Sequence, residues 1–298
     1  MKTAIIQISA LCATLLLASS SCTATAHTAT PYNDMAVTSK SGLTGSGNII
    51  TRSVTISDYT KIDASRAVNV VVEDRRGHDA VIRADDNIMP YVIVKVEGGT
   101  LKVGIDNDIK SLNNISVTVS VPYKSGLSSI DASSASSVVI EPEIKSGSLA
   151  VGISSAAKVN IAKSDVGTCT VNVSSASKIE GAIKADKCTI ELNSAANADL
   201  ALLAVECNVT ASSAAKAELS GEAGDIEIET SSAANVDALS LIARNVEADA
   251  SSSSSIKITC SKSIDAEASS GGSVKYAAKG RLASEEKNTS SSGSIKKL

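Results

Sequence analysis

Residues 207–219 read Cys-Asn-Val-Thr-Ala-Ser-Ser-Ala-Ala-Lys-Ala-Glu-Leu, a small-residue signature between two alternating segments, and this arrangement decides the fold. The central Ser-Ser-Ala-Ala, or a close variant, returns every 18 to 21 residues. Its nine copies begin at Ser133, Ser154, Ser174, Asn193, Ser212, Ser231, Ser251, Ser269 and Ser290. A period held over nine copies indicates repeated structural units, each of which buries its apolar face by stacking on its neighbours.

Apolar residues alternate with polar ones on both sides of each copy. They stand five, three and one residues before it, as in Cys207, Val209 and Ala211, and five and seven residues after its first residue, as in Ala217 and Leu219. A period of two is typical of a half-buried β-strand. Each copy therefore predicts two or three short strands around a small-residue corner. That is one rung of an all-β parallel β-helix, a solenoid with about 20 residues per rung.

The rung pattern begins before the regular repeats, because residues 62–73 parallel residues 130–141. Longer strands are predicted between these two segments, at residues 80–83, 92–96, 101–105 and 115–121. A solenoid needs protected ends. We therefore expect one domain over residues 43–298, in which residues 43–125 form irregular capping rungs and residues 126–298 form regular ones.

The N-terminus has the features of an export signal. Residues 1–21 combine a basic start with an apolar run too short for a mature transmembrane helix, and they predict a lipoprotein-type signal peptide. Cys22 would become the lipidated first residue, although cleavage after Ala26 by ordinary signal peptidase competes with this. Residues 22–42 are rich in Thr, Ala and Ser and predict a disordered tether. We expect an exported cell-envelope protein, an outer-membrane lipoprotein that faces the periplasm or the surface.

Composition limits the function classes. The 298 residues carry a net charge of −4 and include no Trp, no Phe and five Tyr. A negative chain has no general attraction for nucleic acid, and the lipid is the expected contact with a membrane. His27 and His78 are the two histidines, which argues against a His-dependent triad or a His-rich metal site. We predict no catalytic residue, no cofactor and no metal site.

Several motifs occur in a characteristic order. They are a Gly-x-Gly-Asn lead-in at residues 45–48, Arg52-x-Val54 followed by Tyr59-x-x-Ile62, a strand ending at Pro122, the repeated corners, and a closing Gly272-Ser273-x-x-Tyr276. Together they resemble the auto-transporter adhesin "head GIN" domain family of exported Bacteroidetes-type proteins, over residues 45–298. The resemblance implies a single-stranded, right-handed β-helix, an adhesive role and no established catalytic residues. The chain departs from the family in having Ser or Ala at corners where Gly is common.

Three cysteines share one position on successive rungs, namely Cys169, Cys188 and Cys207. Their Cα atoms would lie within disulfide range, but parallel side chains in register keep their Cβ atoms further apart than a relaxed disulfide prefers. A soft-metal site is the other chemical alternative. Other rungs have Leu149, Ile226, Val246 and Ile264 at this position. We therefore interpret the thiols as small buried hydrophobic groups.

Outward positions of the strand before the corner predict an acidic ladder on three adjacent rungs. Its members are Glu227, Glu229, Glu247, Asp249, Asp265 and Glu267. Like charges about 5 Å apart repel one another, so a hard cation such as Ca²⁺ or a basic partner could bind there. The alternative is a solvated acidic face that keeps the protein soluble, and the sequence favours it because no ligand loop converges on these positions.

Two further polar arrays follow from the repeat. A basic and amide ladder lies after the corner and comprises Lys158, Lys178, Asn197, Lys216 and Asn235. The corners themselves form a column of hydroxyl groups that could face a polysaccharide. Small residues at a tight bend more often serve the backbone, so we interpret the corners as structural.

The sequence therefore predicts a non-enzymatic, adhesin-like binding or scaffold module of the cell envelope. Its expected partner is a glycan or an envelope protein, it is expected to be a monomer, and no nucleic acid is expected. Two alternatives stay open at this point. One is a carbohydrate-active β-helix enzyme, either a lyase or a hydrolase, and the other is a self-assembling envelope scaffold.

Overall fold

The computed structural model describes residues 42–298. The predicted signal peptide, Cys22 and nearly all of the predicted tether lie outside these described residues. The described chain is a β-solenoid of about eight turns with roughly 20 residues per turn, which confirms the predicted fold class. Nine corners bracket eight full turns, so the count of copies in the sequence agrees with the structure.

The N-terminal part contains nine strands and one 3₁₀ turn. Their bounds are β1 Leu43–Thr44, β2 Ile49–Thr55, β3 Lys61–Ala64, β4 Asn69–Glu73, β5 Asp79–Asp85, the 3₁₀ turn Met89–Tyr91, β6 Val92–Glu97, β7 Thr100–Ile105, β8 Leu112–Asn113 and β9 Val117–Pro122. Three pairings here are antiparallel, β2 with β5, β5 with β9 and β6 with β7. All other pairings of the described strands are parallel, including that of Ile62 in β3 with Ile130 in β10.

The regular part contains twelve strands. Their bounds are β10 Ser129–Ala132, β11 Ser137–Ile140, β12 Ile144–Ile153, β13 Lys158–Val173, β14 Lys178–Leu192, β15 Asn197–Ala211, β16 Lys216–Thr230, β17 Asn235–Ala250, β18 Ser255–Ala268, β19 Ser273–Ala278, β20 Ser284–Thr289 and β21 Ser294–Lys297. The expectation of two or three short strands per turn is wrong for β13 to β18. In each of these turns one strand of 14 to 16 residues bends while its hydrogen bonds to the neighbouring turns continue.

Two sheets run along the length of the solenoid and meet at the small-residue corners. The pre-corner sheet passes from β6 through β7, β3, β10 and β12 and ends at β20. The post-corner sheet passes from β2 through β5, β9, β4 and β11 and ends at β21. The long strands β13 to β18 contribute to both sheets, the start of each to the post-corner sheet and its end to the pre-corner sheet.

Each corner is a tight turn with two residues in the left-handed backbone region. At Ser212–Ala215 the central residues Ser213 and Ala214 have φ values of 53° and 61°, and the Ala215 N–H donates to the Ser212 carbonyl at 3.1 Å. Two positive φ values with this hydrogen bond are typical of a type I′ turn. The Ala214 N–H also donates to the Ser232 carbonyl of the next corner at 3.0 Å. The corner therefore fixes the position of one turn on the next.

The core is a stack of aliphatic columns. Val171, Ile190, Val209 and Ile228 follow one another in register and are 0 to 1 % exposed. Two tyrosines join this aliphatic core, because Tyr59 and Tyr276 are fully buried. Tyr59 lies in the N-terminal part, where its hydroxyl donates to the Pro122 carbonyl at 2.8 Å.

The Gly-x-Gly-Asn lead-in is held by a buried carboxylate. Asp85 is 2 % exposed and accepts hydrogen bonds from the Gly47 N–H at 2.8 Å and the Ser116 N–H at 2.7 Å. A Cβ atom on Gly45 would lie 2.4 Å from the Asn114 carbonyl oxygen and 2.5 Å from Asp85, so only glycine fits there. The motif is therefore a structural clamp between the start of β2 and the end of β5.

The corner geometry predicts opposite effects of one substitution at two places. Ala214→Gly should raise the free energy of unfolding by about 1 kcal/mol, because it relieves a left-handed alanine. Ala217→Gly, in the extended strand that follows, should lower the free energy of unfolding by about 1–2 kcal/mol. The substitution removes a buried methyl group and raises the backbone entropy of the unfolded chain. Urea unfolding followed by circular dichroism measures both. Changes of the same sign and size at the two positions would contradict the assignment of the corner.

Candidate binding surface

The predicted acidic ladder lies on the outer surface of the pre-corner sheet. Glu227, Glu247 and Asp265 pair in register on β16, β17 and β18, and they form one column. A second column lies two residues further along the same strands and contains Glu229, Asp249 and Glu267. In a parallel sheet, residues in register lie about 4.8 Å apart, so each carboxylate has like-charged neighbours along the column and beside it.

The acidic surface is larger than the sequence suggested. Glu286 of β20 pairs with Asp265 and adds a seventh carboxylate to the first column. Its strand was missed because the residues on either side, Glu285 and Lys287, are also charged and hide the apolar alternation. These seven residues form what we call the acidic face: Glu227, Glu229, Glu247, Asp249, Asp265, Glu267 and Glu286.

The carboxylates of the acidic face have no ion pair with any residue in the described range 42–298. Several other acidic side chains of the described residues do form ion pairs. Glu97, for example, binds both Lys95 at 2.7 Å and Lys102 at 2.9 Å, and those hydrogen bonds lower its pKa to about 2. The acidic face is therefore a local excess of negative charge.

Asp249 lies at the centre of this charge. Partial burial is the largest cause that raises the pKa of its carboxyl group above the usual 3.8, followed by the charges of Glu267, Glu247, Glu229 and Asp265. All four of these neighbours belong to the acidic face. Partial burial and the charge of these neighbours together oppose ionisation of the most central member of the acidic face.

Two shallow concavities follow the two columns. One of about 360 Å³ runs beside Glu229, Asp249 and Glu267 and is bounded by the corner residues Ser231, Ser251 and Ser269. The other, of about 440 Å³, runs beside Glu227, Glu247 and Asp265. Its far side is formed by a third polar column, Glu206, Asp225, Asn245 and Ser263. The acidic face therefore consists of two ridges of carboxylates between open grooves parallel to the solenoid axis.

The basic and amide ladder has a different electrostatic character. Lys158, Lys178, Asn197, Lys216 and Asn235 stack in register after the corner, as predicted. Two residues further along the same strands lies another acidic column, which is separate from the acidic face and comprises Glu180, Asp199, Glu218 and Asp237. Lys178 forms an ion pair with Glu180, and Lys257 with Asp237 at 2.8 Å. Opposite charges on the post-corner sheet thus lie close together and offset one another.

The three thiols lie directly above one another. Cys169 pairs in register with Cys188, and Cys188 pairs with Cys207. All three are free, buried and at most 2 % exposed. Hydrogen bonding to Cys188 and burial raise the pKa of the Cys169 and Cys207 thiols, so they stay neutral. Their position within the aliphatic core supports the interpretation of the thiols as hydrophobic groups. Cys260 lies in another column, between Ala243 and Ala278.

The hydroxyl column divides into two kinds of residue. The central residues of each corner, such as Ser213, are exposed, whereas the last residue is buried in every corner except the ninth, where Gly293 is half-buried. Three corners end in a buried serine. The Ser254 hydroxyl donates to the Thr230 carbonyl at 3.0 Å and the Ser136 hydroxyl donates to the Ala64 carbonyl at 2.9 Å, whereas the buried Ser177 hydroxyl has no hydrogen-bond partner among the described residues. Two of these three buried hydroxyls therefore serve the backbone.

His78 lies away from the acidic face, in an exposed turn. Its Nδ1 atom is 3.6 Å from the Asp58 carboxylate and 3.1 Å from the Lys124 ammonium. Within residues 42–298 there is no group of three or more His, Cys, Asp or Glu side chains arranged to hold a metal ion. The same residues contain no helix with the length and apolarity that a membrane span requires. His27 and Cys22 lie outside the described part of the chain.

These observations define a class of protein, a β-solenoid whose stacked turns present columns of repeated polar side chains. The chain belongs to the family described as "Putative auto-transporter adhesin, head GIN domain", which matches residues 58–183 and 170–280. The resemblance inferred from the motifs is therefore confirmed. No match was found among curated proteins.

Solved structures share the fold. A putative adhesin from Parabacteroides merdae is 18 % identical with a TM-score of 0.63, and the match covers 86 % of this chain and 99 % of that one. A putative adhesin from Parabacteroides distasonis is 13 % identical with a TM-score of 0.60, covering 87 % and 100 %. A putative lipid binding protein from the same species is 19 % identical with a TM-score of 0.53, also covering 87 % and 100 %. At these identities the similarity concerns the fold alone.

The crowding of carboxylates predicts a pH-dependent effect of Asp249→Asn. The pKa of Asp249 is raised by folding, so its ionised form opposes folding above that pKa, and this cost disappears below the unfolded value. The substitution should therefore raise the melting temperature at pH 7. The gain should shrink as the pH falls through the range of carboxyl titration and vanish near pH 3. A variant less stable than wild type at pH 7, or a gain that does not depend on pH, would contradict the account.

Proposed function

We propose that this protein is a non-enzymatic, adhesin-like binding module of the cell envelope and that its acidic face binds a basic polypeptide segment of an envelope partner. The observation that carries the proposal is the set of seven stacked carboxylates without an ion pair among the described residues. Family membership supports an adhesin-like role for an exported or cell-surface protein. The stacked turns hold the carboxylates in place, so a partner meets a rigid array.

The layout of the charges favours a polypeptide over a metal ion. Ca²⁺ is held by six to eight oxygen atoms that converge on one point. The carboxylates of the acidic face instead spread along two columns from β16 to β20, over about 15 Å at the spacing of parallel strands. An extended chain with several lysine or arginine side chains can contact such a surface at many points. The two grooves offer room for its backbone.

Binding to polylysine peptide provides the direct test. The variant Glu227→Gln, Glu247→Gln, Asp249→Asn removes three charges from the acidic face. Since an exposed ion pair contributes about 0.5 kcal/mol, the loss of three should weaken binding by about tenfold. The matched control Glu180→Gln, Glu218→Gln, Asp199→Asn also removes three negative charges, but from the post-corner sheet. Its affinity for polylysine should stay close to that of wild type. Isothermal titration at low ionic strength measures both.

Three outcomes would contradict the proposal. Equal losses in the two variants would show that net charge alone attracts the peptide. Unchanged affinity in the acidic-face variant would place the interaction elsewhere. Saturable binding of Ca²⁺ that depends on the same three residues, with no binding of polylysine, would show that the ligand of the acidic face is a divalent cation and not a polypeptide.

We also propose that lipid on Cys22 anchors the module to the outer membrane, on the periplasmic or the surface side. The small residues before Cys22 and the Thr- and Ala-rich stretch after it support this assignment. The variant Cys22→Ala should leave the membrane fraction and lose the mass of the lipid, as measured by fractionation and intact-protein mass spectrometry. Membrane association and mass equal to those of wild type would contradict the anchor. A soluble wild-type protein that begins after Ala26 would contradict it as well.

A further inference from the structure

The last turn of the solenoid has charged side chains at positions that are apolar in every preceding regular turn. Glu285 of β20 is in register with Ile264, and Lys287 is in register with Ala266. In β21, Lys297 is in register with the fully buried Tyr276. These positions point along the core columns, so the charges lie on the C-terminal end of the core rather than on its sides.

The three charged groups form one cluster over Tyr276. The Tyr276 hydroxyl donates to Glu285 Oε1 at 2.5 Å, and Lys297 Nζ donates to Glu285 Oε2 at 2.9 Å. Lys287 forms an ion pair with the same carboxylate. Both ammonium groups also lie over the tyrosine ring, 5.2 and 5.8 Å from its centroid. The bonds from Lys287, Tyr276 and Lys297 lower the pKa of Glu285 to about 2, so the cluster stays charged at neutral pH.

This cluster occupies the place where a further turn would stack. Among the described strands, β20 pairs with β18 alone and β21 pairs with β19 alone, so each has a free edge. A strand from another molecule that paired with these edges would bury one carboxylate and two ammonium groups. Burying charge without new partners is costly, and inward-pointing charges are a known means of blocking unwanted strand pairing.

The opposite end of the solenoid has a related feature. Arg52 of β2 is in register with the buried Ile82 of β5, on the inward side of the first strand of the post-corner sheet. Its guanidinium group extends to the start of β6 and donates to the Val92 carbonyl at 3.4 Å. Both ends of the described solenoid thus have a charge in an inward column, whereas the regular turns between them have none at the equivalent positions.

We propose that Glu285, Lys287 and Lys297 close the C-terminal end of the solenoid against edge-to-edge pairing with a second copy of the chain. Without the cluster, the exposed edges would offer hydrogen-bonding groups above an apolar core of the same cross-section in every molecule. Two copies of such an end could pair edge to edge, and this contact would join two solenoids end to end. This role concerns the end of the solenoid and does not depend on the acidic face.

The test replaces the cluster with the residues found one turn earlier. The variant Glu285→Ile, Lys287→Ala, Lys297→Tyr should raise the average mass in analytical ultracentrifugation roughly twofold or more as concentration increases, because each contact joins two solenoids. Electron microscopy should show rods joined end to end. The matched control Glu286→Ile, Asn288→Ala, Lys296→Tyr places the same new residues on the outward sides of the same strands and should keep the constant mass of wild type.

Several results would overturn the proposal. These are a constant mass in the inward variant with its strand content intact, equal association in the control, or filaments of wild type. If circular dichroism shows that the inward variant loses strand content, Lys287→Ala replaces it. That single change removes one exposed ammonium and leaves the Glu285–Lys297 pair, so a smaller rise in mass with concentration is expected. A constant mass in this variant overturns the proposal as well.

Discussion

The structure depends on a backbone hydrogen bond that each corner donates to the corner of the next turn. In the middle of the solenoid the Ala195 N–H meets the Ser213 carbonyl at 3.0 Å, and the Ala214 N–H meets Ser232 at 3.0 Å. A corner that is fixed in this way sets the register of the strands on both sides of it. Each regular corner holds two successive exposed residues in the left-handed backbone region, and the corner before β4 has the half-buried Arg66 and Ala67 in that region. The Ala67 N–H donates to the Ser134 carbonyl at 2.9 Å, so the corner-to-corner bond does not require a small side chain at every position.

The unequal lengths of the repeats are absorbed away from the corners. Four register shifts occur in the long strands: between Ile161 and Ser164, between Glu218 and Ser220, between Ala238 and Ile242, and between Ala243 and Asn245. Each is on the far side of the turn, where the long strands bend from one sheet to the other. The columns that flank the corner therefore stay aligned whether a turn has 18 or 21 residues. This alignment makes the charge pattern of the surface a direct consequence of residue position in the repeat.

Much of the fold and part of the surface could be predicted from the sequence for this reason. Once the copies were aligned on Ser212 and its equivalents, the thiol column and the two acidic columns followed from counting. The type I′ geometry was not predictable in the same way, because Ser and Ala are not the residues that usually signal positive φ. The charge balance between faces was also missed. It depends on which lysines reach which carboxylates, as Lys257 reaches Asp237, and a repeat pattern does not contain that information.

The two ends of the described solenoid follow other rules than its middle. Inside the stack, every inward position is filled by a residue that suits the turns above and below. At the ends of the described solenoid no further described turn stacks on one side, and Arg52 and Glu285 stand where aliphatic residues would otherwise be. The alternation of polar and apolar residues is lost in such strands. For this reason the sequence pattern did not predict Glu286 as a member of the acidic column that it continues. End turns of a repeat protein therefore have to be read from contacts rather than from periodicity.

In-register stacking is tested most directly by distances between spin labels along one outward column. Thr170, Thr189, Asn208, Glu227, Glu247 and Asp265 form such a column. Labels on Thr170→Cys combined with Glu227→Cys, Glu247→Cys or Asp265→Cys should give distances that grow by about 4.8 Å for each added turn. The four native thiols of the described residues, at 169, 188, 207 and 260, are buried, and unsubstituted protein controls for labelling of every native cysteine. Distances that do not increase by this step from 227 to 247 to 265 would contradict the stacking of the turns.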